Sequence, residues 1–458
     1  MVVLCLAAGC ASRIGQSLEL ADKGEFSKAT QVIENEMQNK DGLSAIEIRT
    51  LQNNLKQMQA VEREYTLLHD SVYNQLKAKI SDLSETDMSN WENDYSLEYY
   101  VINGVKKYYS RCVFDLFQVN KDAARRAHIP EKQNDAAAQY PHETISSFDS
   151  GSVLSKKISV GFSFFVETGN LPDHAALRAW IPYVRENDLQ RNIKIIQSSI
   201  RNTVLPTGDD MISVIHFEGS VDKTGGVNSK WREYFAHPTQ SWIRPLKNPA
   251  SISDSMFVCQ FIYEYESKAY LRIIDPNTIQ TYNIHNPVYE KYTGESNGYS
   301  YTPYLAELAK EIIGNETNNY LKARKIYEWI CRNIAWTNPK PVLGDANEYT
   351  ARYKRGDCSA KSDLFITLCR INRIPAKPQG GWSVRPDENH SQHSWAQVYF
   401  EPYGWLPVDV TAGAHLIDNQ DDRIKYFYFG NCSPYHLIIY DDDPEVLSGK
   451  TFEPIYGG

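Results

Sequence analysis

A cysteine, a histidine and an aspartate follow one another in an order that could support nucleophilic chemistry. His393 lies 35 residues after Cys358, and Asp409 lies 16 residues further on. A thiol attacks a carbonyl carbon efficiently when a nearby base removes its proton, and the base works best when a third group orients it. The three residue types therefore predict acyl transfer through a cysteine nucleophile.

Cys358 follows a polar turn and precedes an apolar-periodic segment. Leu364, Phe365, Leu368 and Ile371 recur at helical spacing, so a helix is predicted to begin at or next to the cysteine. Unpaired backbone N–H groups and the positive end of the helix dipole gather at such a position. They stabilise a thiolate and can also hold an oxyanion.

His393 and Asp409 are predicted to meet through a β-hairpin. His393 opens a strand-like run over 394–400, and Asp409 ends a second run over 405–409. In an antiparallel pair the start of one strand lies near the end of the next. Both side chains should therefore reach one rim, facing the helix that carries Cys358.

The register of this hairpin decides whether the two side chains share a face. A four-residue loop over 401–404 would place Phe400 opposite Trp405 and Asp409 opposite Ala396, which puts Asp409 on the wrong face. We predict a β-bulge or a loop one residue longer, since either restores the face.

Four segments together resemble the catalytic core of the transglutaminase-like superfamily, over roughly residues 300–440. That resemblance implies a papain-like α+β core with Cys358 as nucleophile, His393 as base and acid, and Asp409 as the orienting carboxylate. It also implies an aromatic residue that assists the oxyanion, for which Trp336 is the candidate. Papain itself has a glutamine shortly before its catalytic cysteine, whereas no glutamine stands shortly before Cys358. The segments are Gly-Asp-Cys-Ser (356–359), Arg-Ile-Pro-Ala (373–376), His-Ser-Trp-Ala-Gln-Val-Tyr (393–399) and Gly-Trp-Leu-Pro-Val-Asp (404–409).

The implied reaction passes through a thioester on an amide or peptide bond. Water would then give hydrolysis, which we favour because no sequence feature predicts a dry tunnel for an amine. An amine would give transamidation of glutamine side chains and hence protein cross-linking. A third alternative is an inactive binding or scaffold protein. The expected partner is a peptide, protein or cell-wall peptide substrate.

Each candidate residue also has a plainer explanation. A lone cysteine such as Cys358 is more often a core residue, and Asp409 could end a strand in a turn. His390 competes with His393 for the role of base, but we place it in a polar loop outside the strand. Trp336 could equally be ordinary packing at the end of a core helix.

Composition excludes several classes of function. The chain has 458 residues, a net charge of −9 and a pI near 5.7, and it lacks a basic run, so nucleic acid is not expected as a partner. The eight cysteines are scattered, which does not indicate a disulfide framework. Metal-ligand spacings are missing as well, so we predict no metal and no cofactor.

The first ten residues resemble the end of a bacterial lipoprotein signal peptide. A short apolar run with small residues precedes Cys10, which would then be lipidated. No Lys or Arg precedes the run, so we expect the true start to lie upstream. The alternative is a buried N-terminal strand. Lipidation would anchor the protein in the bacterial cell envelope, at the periplasmic face or the outer membrane.

Periodicity divides the rest of the chain into three predicted domains. Residues 11–130 favour helices with one β-hairpin at Asn103-Gly104, and 130–144 reads as a linker. Residues 150–290 contain at least six strand-like runs, including 270–274, which favours a β-sandwich. Residues 300–445 form the predicted catalytic domain, in which 339–351 is a loop that could line a substrate groove.

Overall fold

The computed structural model describes most of the chain. Within the described residues we find no helix with the length and apolarity that crossing a bilayer requires. Residues 1–9 of the predicted signal segment 1–10 lie outside them, and Cys10 is the first residue of the first helix. The described residues are 10–38, 42–130, 135–167, 171–198, 202–205, 213–220, 256–296, 298–386 and 390–442.

Fifteen α-helices occur in the described residues, together with a 3₁₀ turn at Pro276–Thr278. In chain order they are α1 (Cys10–Asp22), α2 (Phe26–Gln38), α3 (Ala45–Glu64), α4 (His69–Lys77), α5 (Glu85–Asn93), α6 (Cys112–Val119), α7 (Lys121–Arg126), α8 (Asp135–Asp149), α9 (Pro287–Tyr292), α10 (Pro303–Ile313), α11 (Asn319–Asn333), α12 (Ala346–Tyr353), α13 (Cys358–Ile371), α14 (Val410–Gly413) and α15 (Asp422–Lys425).

In the ranges that the structure describes, the strands form five sheets, ordered β1-β3-β2, β10-β11, β14-β13-β12-β15, β4-β9-β6 and β5-β8-β7. Their bounds are β1 (Tyr65–Leu67), β2 (Tyr99–Ile102), β3 (Val105–Tyr109), β4 (Ser155–Glu167), β5 (Ala176–Pro182), β6 (Gln190–Ser198), β7 (Asn202–Leu205), β8 (Val214–Ser220), β9 (Met256–Lys268), β10 (Ala335–Trp336), β11 (Arg355–Gly356), β12 (Ala376–Val384), β13 (His390–Phe400), β14 (Gly404–Val408) and β15 (His436–Tyr440).

Contacts group these elements into two units. The first unit combines Met1–Asn134 with His285–Ile374, and the second combines Asp135–Ile284 with Pro375–Gly458. Each unit therefore joins segments from different predicted domains. The boundary at Ile374 falls inside the predicted catalytic domain, directly after α13. Cys358 belongs to the first unit, whereas His393 and Asp409 belong to the second.

The helical start of the first unit follows the predicted apolar pattern. Phe26, Leu51, Met58 and Leu76 are among the residues of one buried cluster. The predicted helical region is interrupted between α1 and α2, where Gly24 takes a φ of 76°. A side chain at Gly24 would overlap the backbone and side chain of Val101.

The predicted Asn-Gly hairpin is confirmed as β2 and β3. Ile102 pairs with Val105, and Asn103 and Gly104 have φ values of 51° and 80°. Two successive residues with positive φ form the type of two-residue turn whose twist matches that of the paired strands.

Two predicted connections are wrong in part. The linker over 130–144 gives way to α8, which begins at Asp135. The loop over 339–351 ends at Asp345, which caps α12.

The β-rich part of the second unit contains two three-stranded sheets that share one core. Phe217 in β8 packs 5.1 Å from Phe261 in β9, measured between ring centroids. Leu437 and Ile439 of β15 belong to the same cluster. The expected strand over 270–274 does not form, since Tyr270 makes only an isolated bridge with Cys432. Part of the predicted run over 211–217 lies outside the described residues.

A buried ion cluster ties the start of the chain to the segment that precedes Cys358. Lys340 pairs with Glu98 and lies 3.2 Å from Asp115, while Arg355 lies 3.4 Å from Glu98. Burial alone would raise the pKa of Glu98, but the two cations hold that pKa below its usual value. Asp115 also accepts a 2.9 Å bond from the Asn338 backbone N–H.

Replacing Lys340 by Met should destabilise the fold by about 3 kcal/mol, because it leaves two buried carboxylates short of a cation. The midpoint of urea unfolding measures this loss. Lys23→Met is the matched control, since the Lys23–Glu19 pair is exposed to solvent and its removal should hardly move the midpoint. Equal midpoints for Lys340→Met and the control would contradict the assigned role of the cluster.

Candidate active site

Cys358 is the first residue of α13, as the sequence predicts. The side chain of Asp357 caps this helix by accepting a 2.9 Å hydrogen bond from Ala360 N. The cysteine itself is half-buried and is not in a disulfide. The backbone N–H groups of the first helical turn gather at this point and favour negative charge.

The turn before Cys358 needs a glycine at its closest point. A Cβ on Gly356 would stand 2.8 Å from the Cβ of Ala360 and 3.3 Å from Thr350. Gly356 is the second residue of β11 and can therefore press against the helix that it precedes.

Trp336 lies beside this turn. It pairs with Gly356 in the two-stranded parallel sheet of β10 and β11. Its ring meets Phe114 edge-on, with 6.1 Å between centroids and an interplanar angle of 88°. The backbone of Trp336 thus runs next to the residues that lead into the helix. Packing against Phe114 is observed, and assistance to an oxyanion stays a prediction.

His393 and Asp409 meet as predicted. Nε2 of His393 lies 2.7 Å from Oδ2 of Asp409. An ionised carboxylate only accepts hydrogen bonds, so Nε2 carries the hydrogen and Nδ1 is the ring nitrogen left to act as a base.

The observed register of the hairpin differs from our prediction. Phe400 pairs with Gly404, and Ala396 pairs with Val408, without a shift between them. The loop is therefore one residue shorter than the four-residue loop, not longer, and no bulge is needed. Extending this register places Asp409 opposite Trp395, on the face that also carries His393. Gly404 permits the short loop because its φ is 81°.

The Asp409 carboxylate is buried and accepts four hydrogen bonds. Oδ1 accepts from the backbone N–H groups of Thr411 and Ala412, at 3.0 and 2.9 Å, and so caps α14. Oδ2 accepts from His393 and from His436. Burial opposes ionisation, yet the attraction and hydrogen bonds of the two imidazoles hold the pKa of Asp409 well below its ordinary value.

His436 is the residue that sequence reasoning missed. Its Nε2 lies 3.1 Å from Oδ2 of Asp409, and its side chain is 9% exposed. In the sequence it only opens an apolar strand, 27 residues beyond Asp409. That pattern is equally typical of a surface histidine at a strand end, so nothing local marked it.

The competing histidine, His390, is misplaced in our prediction. It is the first residue of β13 and pairs with Val384, whereas a loop outside the strand was expected. The antiparallel pairing of β12 with β13 extends into the polar segment that we assigned to a loop. His393, three residues further along the strand, is the histidine that contacts Asp409.

Three side chains near this carboxylate also have the types that bind metal ions. One ligand atom each from His393, Asp409 and His436 lies within 4.8 Å of the others. Both nitrogens are hydrogen-bonded to the same carboxylate oxygen, so the arrangement seen is that of a charged hydrogen-bond network. Asp441, which belongs to an acidic run of the sequence, pairs with Lys377 at 3.3 Å.

The part of the chain that contains the candidate catalytic residues matches a known protein family. Residues 306–410, which include all four predicted catalytic residues, match the family described as the transglutaminase-like superfamily. These residues therefore form a transglutaminase-like core in the C-terminal half of an α+β chain. His436 lies outside the matched segment.

Two curated relatives match parts of the chain. An uncharacterized protein of Haemophilus influenzae is 25% identical over 159 residues, covering 28% of this chain and 43% of that protein. The kyphoscoliosis peptidase of Mus musculus is 21% identical over 193 residues, covering 39% of this chain and 29% of the peptidase. The chain thus spans less than half the length of either relative.

Solved structures show weaker likeness. A candidate cysteine protease from Cytophaga hutchinsonii has a TM-score of 0.39 and 15% identity, over 57% of this chain and 77% of that one. The periplasmic domain of TgpA from Pseudomonas aeruginosa has a TM-score of 0.28 and 14% identity, over 61% and 77%. We draw no conclusion about function from either.

Replacing Asp409 by Asn should destabilise the protein most at neutral pH. The depressed folded-state pKa means that ionised Asp409 stabilises the fold above its unfolded-state pKa of about 4. That contribution is lost as the pH falls further, so the difference from the unsubstituted protein should shrink. Urea midpoints at about pH 7 and about pH 3 measure the change.

Asp149→Asn is the control for this series, because Asp149 forms an ion pair with Arg423 on the exposed surface. Its midpoint should stay close to that of the unsubstituted protein at both pH values. A destabilisation by Asp409→Asn that is the same at both pH values would refute the linkage.

Proposed function

We propose that this protein is a cysteine-dependent acyl transferase that hydrolyses amide or peptide bonds. The observation that carries the proposal is the buried His393–Asp409 pair, together with Cys358 at the start of α13. All three residues fall inside the segment that matches the transglutaminase-like superfamily. We further infer a papain-like arrangement of this core, preceded by a helical domain and a β-sandwich.

In the first half-reaction the Cys358 thiol gives its proton to Nδ1 of His393 and attacks the amide carbonyl carbon. The C–S bond forms while the carbonyl oxygen becomes an oxyanion. Backbone N–H groups of the first turn of α13 stabilise that oxyanion, and the Trp336 indole N–H assists them. His393 then protonates the leaving amine as the C–N bond breaks, which leaves a thioester on Cys358.

In the second half-reaction water opens the thioester. His393 takes a proton from the water as the new C–O bond forms, and it returns a proton to the leaving thiolate. The products are a carboxylic acid and free Cys358. Asp409 holds Nε2–H of His393, so Nδ1 faces the reacting atoms in both halves. Proton transfer by the histidine contributes a factor of about 10²–10⁴ to the rate.

Hydrolysis is the function that we favour over transamidation. Relatives named as peptidases support a peptide or protein substrate. The competing outcomes are incorporation of an amine, which would make the protein a glutamine cross-linking enzyme, and a lack of turnover, which would make it a binding protein.

Replacing Cys358 by Ala should abolish hydrolysis of dye-labelled casein while thermal unfolding stays unchanged, because the thiol is the nucleophile but is not a core residue. Cys369→Ala is the matched control, since Cys369 lies on the same helix but is fully buried and burial raises its pKa. The control should retain most of the activity if it folds.

Two further measurements separate the alternatives. Iodoacetamide at low pH should alkylate Cys358 selectively, and a lack of selective labelling would favour the binding protein. A labelled primary amine should not be incorporated into casein, whereas incorporation would establish transamidation. Hydrolysis that persists in Cys358→Ala would end the proposal.

We also propose that Cys10 is lipidated, so that the protein is anchored in the bacterial cell envelope. Cys10 begins α1, and the residues before it have the small, apolar character of a lipoprotein signal. Growth on labelled palmitate, with the gene expressed from its own upstream region, should label the protein.

In that experiment Cys10→Ser should remove the label, while Cys5→Ser should leave it, because only the residue at the cleavage point receives the lipid. An unlabelled protein, or equal labelling of both variants, would remove the proposed anchor.

A further inference from the structure

The proposed mechanism uses one imidazole on Asp409, yet the carboxylate holds two. Oδ2 accepts from Nε2 of His393 at 2.7 Å and from Nε2 of His436 at 3.1 Å. The two ring centroids are 6.0 Å apart, with 50° between the ring planes. The rings thus share one oxygen, and its negative charge is divided between them.

The contacts of His436 fix which of its nitrogens carries hydrogen. Because an ionised carboxylate only accepts, Nε2 must donate to Asp409. On the other side, Nδ1 lies 3.4 Å from the hydroxyl oxygen of Ser433, which can donate to it. A neutral imidazole with hydrogen on Nε2 suits both contacts.

The surroundings of His436 hold the ring in place. The Trp395 ring meets it edge-on, with 5.0 Å between centroids, and Tyr428 packs 5.8 Å away. Trp395 is itself fixed by a 2.6 Å hydrogen bond from its Nε1 to Oε1 of Gln379. Arg385 is the cation that acts on the Tyr428 phenol, whose pKa burial raises far beyond neutral pH. Asp409 and His393 are further titratable groups that lie next to His436.

The four-stranded sheet carries the side chains of His393 and His436 on the same face. In β12, Gly381 pairs with His393 on one side and with Ile438 on the other, while Ser383 pairs with His436. A side chain on Gly381 would overlap the Leu437 carbonyl. Glycine at this position therefore lets β15 approach β12 closely, while β13 pairs with the other edge of β12, and a histidine from each of these two strands reaches Asp409.

We propose that His436 is a positioning residue of the same site, whose Nε2–H holds Oδ2 of Asp409 toward His393 and limits the basicity of His393. The inference rests on the proposed function, in which His393 takes and returns a proton. A carboxylate that lacks the second donor would hold the His393 imidazolium proton more tightly. An imidazolium of that kind is a weaker acid toward the leaving amine.

His436→Phe keeps a ring but removes the donor, whereas His436→Gln keeps an N–H. In His436→Phe, the pKa of His393, followed by NMR of ring-labelled histidine, should rise by about half a unit to one unit. The kcat for dye-labelled casein should fall about three- to tenfold with little change in KM. His436→Gln should restore both quantities to near their original values.

Ser433→Ala is a milder variant for use if His436→Phe does not fold. It removes the donor to Nδ1 of His436, so the hydrogen bond from Nε2 of His436 to Asp409 should weaken. The pKa of His393 should therefore rise, as in His436→Phe, but by a smaller amount. His216→Phe is the matched control, because His216 belongs to the same unit and stacks on Trp180 at 4.9 Å. This control should leave the titration of His393 unchanged.

An unchanged His393 pKa in His436→Phe, or in Ser433→Ala if that variant is used, would overturn the inference. Loss of activity in the unsubstituted protein after treatment with a chelator would also overturn it, because the two imidazoles and the carboxylate would then be ligands of an ion. Failure of the proposed function looks different: the unsubstituted protein would neither hydrolyse casein nor react selectively at Cys358, while the NMR titration would still decide the role of His436.

Discussion

The site depends on a buried negative charge at Asp409 that four hydrogen-bond donors stabilise. Burial alone would neutralise this carboxyl group, because a charge loses its hydration in a protein interior. Two backbone N–H groups and two imidazoles replace the lost water, and the pKa of Asp409 falls well below its ordinary value as a result. Removing any donor would leave part of the charge unsatisfied.

That requirement explains several local features of the second unit. The short hairpin loop ends at Gly404 and sets the register that places Asp409 on the same face as His393. Asp409 then caps α14, which fixes one carboxylate oxygen and presents the other to the imidazoles. Strand β15 contributes His436 to the same oxygen. A loop longer by one residue, without a bulge, would turn the carboxylate to the opposite face.

The proposed nucleophile lies in the first unit and is positioned by a different set of contacts. Cys358 owes its position to a helix start, where Asp357 caps the chain and Gly356 allows a close approach. Arg355 and Lys340, on either side of α12, engage the buried Glu98 from the N-terminal part of the chain. The helical region at the start of the sequence is thus a structural part of the unit that carries the thiol, not an appended module.

The sequence by itself determined the local elements that carry the candidate catalytic residues. The helix that begins at Cys358, the strands around His393 and Asp409, and the Asn103-Gly104 hairpin follow from short-range periodicity and turn residues, which act over a few positions. The match of residues 306–410 to the transglutaminase-like superfamily has the same origin, since the motifs lie close together in the chain.

Only the tertiary structure decided the hairpin register, the place of His436 and the grouping of the chain into two units. A one-residue change of loop length barely alters local propensities, yet it reverses the face of every side chain that follows. His436 reaches Asp409 because β15 and β13 pair with opposite edges of β12, although these two strands are distant in sequence. No local sequence pattern shows that His436 and Asp409 are neighbours. The buried ion cluster is likewise invisible in the sequence, because Glu98 and Lys340 come together only through the folded chain.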